Sequence, residues 1–189
     1  MMTPDFLRSK FQAGLSYDDY AAGGTPDQRE NWTRQSRRAE LTDRQRQLLS
    51  GFTRQLNVLV TSGLWCGDCA TQVPLLSQIA NAAPTVTLRI LDRDEHLDLS
   101  EQVRICGGLR VPTVLFLNED FEFVSIRGDK SLSRLRSRAA KSLGPSCPLP
   151  GEVVDADEAA ATLADWVREF EYSHLLVRLS PKLRERHQD

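Results

Sequence analysis

The 189-residue chain predicts an α/β fold: a central mixed four-stranded sheet flanked by helices, with helical extensions at both ends. Three observations predict it. Short apolar or β-branched runs at residues 58–62 and 86–91 alternate with segments of helical period. Two further extended runs, 109–117 and 121–126, flank the turn Asn118-Glu119-Asp120 and read as an antiparallel hairpin. The composition, 26% charged and 40% hydrophobic, is that of a globular chain with enough residues for a sizeable core.

Residues 1–39 read as an N-terminal helical extension. Phe6, Leu7, Phe11 and Leu15 recur at roughly helical spacing and predict one short amphipathic helix. Residues 17–24 read as a turn. Thr25, Pro26 and Gln28 then supply an N-cap, a first-turn proline and a capping-box partner. The helix they open is charged, with Trp32 its only large apolar residue. It reads as a surface helix pinned by that Trp, the alternative being a helix that docks a partner.

Residues 40–143 carry the alternating pattern. Thr42 and Gln45 offer a second capping box, and Leu41, Leu48, Leu49, Phe52 and Leu56 predict one apolar face. After the first strand, residues 70–82 predict a helix with Val73, Leu76, Ile79 and Ala80 inward and Pro74 inside it. The second strand leads into a charged loop at 92–95. Leu99 and Val103 predict a helix ending at Gly107-Gly108, which assigns Cys106 to core packing. Residues 131–143 predict a closing helix with Leu132, Leu135, Ala139 and Leu143 facing in, and Arg134, Arg136 and Arg138 on its wet side.

Residues 144–189 read as a C-terminal loop and helical extension. Pro and Gly break the chain at 144–151, where Cys147 reads as exposed. Asp155 or Asp157 can cap a helix with Leu163, Trp166, Val167 and Phe170 on its apolar side, followed by a charged tail. His96, His174 and His187 are scattered and read as surface residues.

The formal net charge of −2 gives no reason to expect a nucleic acid or anionic membrane partner. The first residues lack a signal-peptide pattern, and no apolar run nears the roughly 20 residues that span a bilayer. A cytoplasmic location is the expectation. In that compartment a close cysteine pair points to catalysis or metal binding rather than a structural staple.

The pair is Cys66 and Cys69, in Leu64-Trp65-Cys66-Gly67-Asp68-Cys69, between a strand and a helix. A cysteine at a helix N-terminus meets unpaired N–H groups and the positive end of the helix dipole, which favour a thiolate. Two intervening residues let both sulfurs share one turn. The chemistry this suggests is dithiol–disulfide exchange. A zinc site using Cys106 and Cys147 as further ligands is the rival, although neither lies in a second Cys-x-x-Cys knuckle. A second redox couple between Cys106 and Cys147 is a further alternative.

The residues Trp65-Cys66-Gly67-x-Cys69, Pro74, Gly108 to Thr113 and Gly128 together resemble the thioredoxin superfamily over about residues 40–143. The resemblance implies a thioredoxin-like fold and a thiol–disulfide oxidoreductase acting on protein or small-molecule disulfides. Cys66 would be the nucleophile and Cys69 the resolving thiol. Trp65, Gly67 and Asp68 would modulate the site, and a cis Pro112 with Val111, Thr113 and Gly128 would line a substrate groove. It implies no cofactor, and an electron donor of the thioredoxin-reductase type. The alternative is a non-catalytic binding module whose flanking helices dock a partner.

Two positions depart from the family pattern. Most thioredoxins have Pro where this chain has Asp68, whose carboxylate is expected to raise the Cys66 pKa and make the couple more reducing. The net effect is expected to be modest, because a first-turn Asp is itself favoured by the helix dipole and can face solvent. Val60 stands where those proteins bury an Asp that assists the resolving cysteine, so Asp68 or a water would have to serve instead.

Overall fold

The computed structural model describes residues 2–143 and 156–188. The chain first forms three helices, α1 (Pro4–Ala13), α2 (Tyr17–Ala22) and α3 (Pro26–Ser36). Thr3, Ser16 and Thr25 cap them by accepting a backbone N–H three residues on. The predicted turn at 17–24 is therefore mostly a short capped helix. Its six residues are too few to display a hydrophobic period, so the Ser16 cap was its only signal.

Then come α4 (Asp43–Ser50), β1 (Leu56–Ser62), α5 (Gly67–Ala82), β2 (Val86–Asp92) and α6 (Leu97–Ser100). The predicted single apolar face over residues 41–56 divides: α4 stops at Gly51, Leu48 is exposed, and Leu56 opens the strand. The helix predicted to end at Gly107 closes after four residues. Cys106 follows in a turn with φ 50° and is exposed, so it is not a core residue.

β3 (Thr113–Leu117) and β4 (Phe123–Gly128) form the hairpin, and α7 (Leu132–Leu143), α8 (Glu158–Leu179) and α9 (Pro181–His187) complete the described chain. The charged tail is thus partly helical, capped by the Ser180 side chain.

The sheet order is β2-β1-β3-β4, with β1 parallel to β2 and the other pairs antiparallel. Alternate residues of the central strands face opposite layers. Val58, Val60, Val114 and Phe116 meet α5 and α8, whereas Leu59, Leu115 and Leu117 meet Leu7 and Phe11 of α1 and Leu99 after β2. Fully burying each such side chain is worth about 1.5–3 kcal/mol. Leu15 pairs with Ile90 through two 2.9 Å backbone hydrogen bonds, covering part of the β2 edge.

The C-terminal segment is anchored by buried polar groups as well as by Trp166 and Phe170. Arg54, almost fully buried, binds Glu119 at 2.6 Å and donates to the Leu183 carbonyl at 3.0 Å. His174 is also buried, contrary to its surface assignment: it stacks on Phe52 at 4.1 Å and accepts the Thr53 and Arg54 N–H groups.

The inward face of α7 is the reverse of the one expected. Ser133 and Ser137 are buried, while Leu132 and Leu135 are 53% and 49% exposed and Leu143 is exposed too. The small serines let α7 approach α8, where Asp165 accepts the Ser133 N–H at 2.6 Å and Glu158 accepts the Ser137 hydroxyl at 2.5 Å. Hydrophobic period identifies which side of a helix is apolar, not which side has a neighbour.

Candidate active site

β1 ends at Ser62, and a four-residue turn delivers the chain to Cys66, the N-cap of α5. The turn is supported from the N-terminal segment, because Trp32 Nε1 donates to the Leu64 carbonyl at 3.3 Å. Trp65 is 55% exposed and lies over Gly63, where a Cβ would come within 2.7 Å of the indole. The Arg93 guanidinium covers the ring at 4.6 Å and donates to the Leu109 carbonyl at 3.3 Å. The 92–95 loop thus borders the site.

Cys66 and Cys69 are free thiols, the first half-buried and the second fully buried. The Cys69 N–H donates to Cys66 Sγ at 3.4 Å. The Cys69 thiol hydrogen bond, with backbone N–H groups of Cys69 and Asp68, outweighs burial and holds the Cys66 pKa down at about 6. Burial and the adjacent Cys66 push the Cys69 thiol far upward. One sulfur is suited to attack and the other is suited to wait.

The Asp68 charge does push the Cys66 pKa up, as expected, but its effect is small beside those that lower it. The carboxylate is ion-paired: Arg134 Nη2 lies 2.6 Å from one oxygen and Lys130 Nζ 3.0 Å from the other. Burial raises the Asp68 pKa, but these two cations outweigh it and hold the carboxyl below its usual range. Its repulsion of the thiolate survives only as a minor opposing effect. Arg134 is therefore not simply on the wet side of α7, and it also binds Glu158 of α8 at 2.7 Å.

Val60 is fully buried and offers no proton acceptor. Asp68, engaged by two cations, does not stand in for one. The polar groups near Cys69 are Ser62 and Tyr20, both buried, neither of which the sequence singled out. Ser62 Oγ has no hydrogen-bond partner among the described residues. An unpaired buried hydroxyl costs about 1–3 kcal/mol.

The Val111–Pro112 bond is cis, and Cys66 Sγ lies 3.6 Å from the Val111 carbonyl. Val111 is thus brought beside the sulfur. Thr113 Oγ1 donates to the Arg110 carbonyl at 2.7 Å, fixing the turn before β3. Gly128 pairs with Thr113 at φ 148°, and a Cβ there would collide with the Pro112 carbonyl. The Gly128–Asp129 bond is also cis.

A further residue that the sequence does not single out ties the site to the C-terminal segment. Gln72, fully buried in α5, donates to the Asp129 carbonyl at 2.9 Å. Its Oε1 accepts from Ser131 N at 3.0 Å and from Trp166 Nε1 at 3.2 Å. Beyond Gly128 lies a cavity of about 510 Å³, lined by Ile105, Ile126, Leu132, Leu135 and Trp166.

Among the described residues no group of three or more His, Cys, Asp or Glu gathers to hold a metal. Cys147 falls outside the described residues, and with it the four-cysteine zinc set and the Cys106–Cys147 couple. No helix among the described residues is long and apolar enough to cross a membrane.

A family model described as Thioredoxin matches residues 14–128, more than half of the chain. A crystal structure of a Pseudomonas aeruginosa protein of unknown function is similar over 94% of this chain and 98% of its own, at 18% identity and TM-score 0.69. An HIV epitope-scaffold protein is similar over 87% and 97%, at 19% identity and TM-score 0.66. A Fasciola hepatica thioredoxin matches over 50% and 88%, at 21% identity and TM-score 0.36. A search of curated proteins finds no match. The first two likenesses cover far more of the chain than residues 40–143, so the shared fold extends beyond that region.

Proposed function

Because the chain belongs to the thioredoxin family, we propose that it is a thiol–disulfide oxidoreductase that reduces disulfides through a Cys66/Cys69 cycle. The observation that carries this reading is Cys66 as the N-cap of α5, its sulfur facing both the Cys69 N–H and the Val111 carbonyl. The Cys66 thiolate attacks one sulfur of a substrate disulfide, and the other sulfur leaves as a thiolate that takes up a proton. Cys69 then loses its proton and attacks Cys66 Sγ. The Cys66–substrate bond breaks, the second substrate thiol leaves, and the enzyme retains the disulfide. Two electrons pass from the dithiol to the substrate.

Val111, Pro112, Thr113 and Gly128 form the proposed substrate groove, in which an extended peptide can pair with the Val111 backbone. The cavity past Gly128, apolar at Ile105, Ile126, Leu132, Leu135 and Trp166 and bordered by charged side chains such as Arg127 and Glu169, supports a polypeptide substrate over a small disulfide. The cycle closes when an external dithiol donor, of the thioredoxin-reductase type, reduces the enzyme again. A reducing compartment such as the cytoplasm suits a free thiol pair.

Insulin reduction with dithiothreitol as electron source tests the reading. The wild-type chain is expected to accelerate precipitation of the insulin B chain, and Cys66→Ser to abolish the acceleration. Equal rates for the two proteins would refute it.

A further inference from the structure

We propose that Gln72 is a positioning residue for the active-site dithiol: braced by Trp166, its side-chain amide holds Lys130 on the Asp68 carboxylate beside Cys66. This rests on the dithiol reading, and it gives the C-terminal segment a hold on the nucleophile.

Gln72 lies on α5 one turn beyond Cys69 and is fully buried, on a helix whose Val73, Leu75 and Leu76 are buried too. A buried amide is costly unless each of its polar positions finds a partner. All four do. Nε2 donates to the Asp129 carbonyl at 2.9 Å and to the Asp68 carbonyl at 3.3 Å. Oε1 accepts from Ser131 N at 3.0 Å and from Trp166 Nε1 at 3.2 Å. With two carbonyls on one side and two N–H groups on the other, the network admits one orientation of the amide.

Asp129 and Ser131 flank Lys130, so this one amide grips the chain on both sides of that lysine. The Lys130 side chain is nearly buried, and its Nζ lies 3.0 Å from Asp68 Oδ2 and 2.6 Å from Asp129 Oδ2. Gln72 thus holds both members of the Lys130–Asp68 pair, the lysine through its neighbours and the aspartate through its carbonyl. Asp68 follows Cys66 in the active-site turn, where a carboxylate released from its cation opposes a thiolate. Trp166 belongs to α8 and is buried, so the brace reaches from the C-terminal segment to that turn. Arg134 holds the other Asp68 oxygen by a separate route, through Glu158 of α8. Loss of Gln72 therefore frees only part of the Asp68 charge.

The test is a double-mutant cycle on the full chain, with Cys106→Ser and Cys147→Ser so that iodoacetamide reports Cys66. Gln72→Met keeps the length of the side chain and removes its hydrogen bonds. It is expected to raise the pH midpoint of alkylation by about half a unit, and by less than about 0.1 unit when Lys130→Met is already present. Trp166→Phe keeps a buried ring and removes the N–H brace. It is expected to shift the midpoint in the same direction, and it carries the test if Gln72→Met does not fold. Urea unfolding of each variant is measured alongside. A role in stability alone predicts weaker resistance to urea with the alkylation midpoint unmoved. That result, or an equal shift with and without Lys130, would overturn the positioning role alone. Failure of the wild-type chain to reduce insulin would instead overturn the dithiol cycle, and the positioning role with it.

Discussion

Arg134 Nη2 lies 2.6 Å from Asp68 Oδ1, across 66 residues of sequence, and this contact decides the charge beside the Cys66 sulfur. With Lys130 it converts an acidic position in the active-site turn into a nearly neutral one. Removing the cation should therefore expose the carboxylate to the thiolate. Arg134→Met is expected to raise the Cys66 pKa by roughly half a unit to one unit, and Asp68→Asn to lower it slightly. Iodoacetamide alkylation rates against pH report both shifts.

The same titration on the wild-type chain is expected to reach half-maximal rate near pH 6, the value that the Cys69 thiol and the α5 N–H groups impose. Cys69→Ala removes the largest of those effects. Its midpoint should move up toward the ordinary cysteine range near about 8.5.

Much of this site is legible in the chain before it folds. Trp65, the two cysteines, Val111-Pro112-Thr113 and Gly128 are local words whose neighbours in space follow from the family pattern. Arg134, Lys130, Gln72, Tyr20 and Ser62 are not, because their roles depend on which helix packs on which. The capping boxes at Thr25 and Thr42 were readable for the opposite reason: their partners are three residues away. The serine face of α7 escaped notice because burial there follows from the approach of α8 rather than from hydrophobicity.

Gln72 closes three hydrogen bonds between α5, the 129–131 loop and Trp166. Gln72→Leu leaves the Ser131 and Trp166 N–H groups without their acceptor in the interior. A loss of roughly 2–4 kcal/mol in urea unfolding is expected.

Gly128→Ala adds a Cβ against the Pro112 carbonyl in a backbone region that disfavours side chains. Destabilisation of about 2 kcal/mol or more is expected, together with a raised KM for a disulfide polypeptide. Thermal unfolding and insulin-reduction kinetics check the two effects.

His174 is held neutral by burial first and by Arg178 second, so its folded pKa lies below the unfolded value. The unfolded chain then binds the proton more readily. Stability is full above the unfolded pKa of about 6.5 and falls as pH drops through it toward the lower folded value. His174→Asn, which keeps an acceptor for the Thr53 and Arg54 N–H groups, should flatten the stability profile in that window. Urea midpoints at a series of pH values measure it.

The central claim is that Cys66 attacks and Cys69 resolves. Incubating Cys69→Ser with a disulfide polypeptide, then taking the intact mass without reductant, tests it directly. The account predicts a covalent adduct that maps to Cys66 and disappears with dithiothreitol, and none with Cys66→Ser. An adduct on Cys106 or Cys147 in place of Cys66, or no adduct at all, would contradict it.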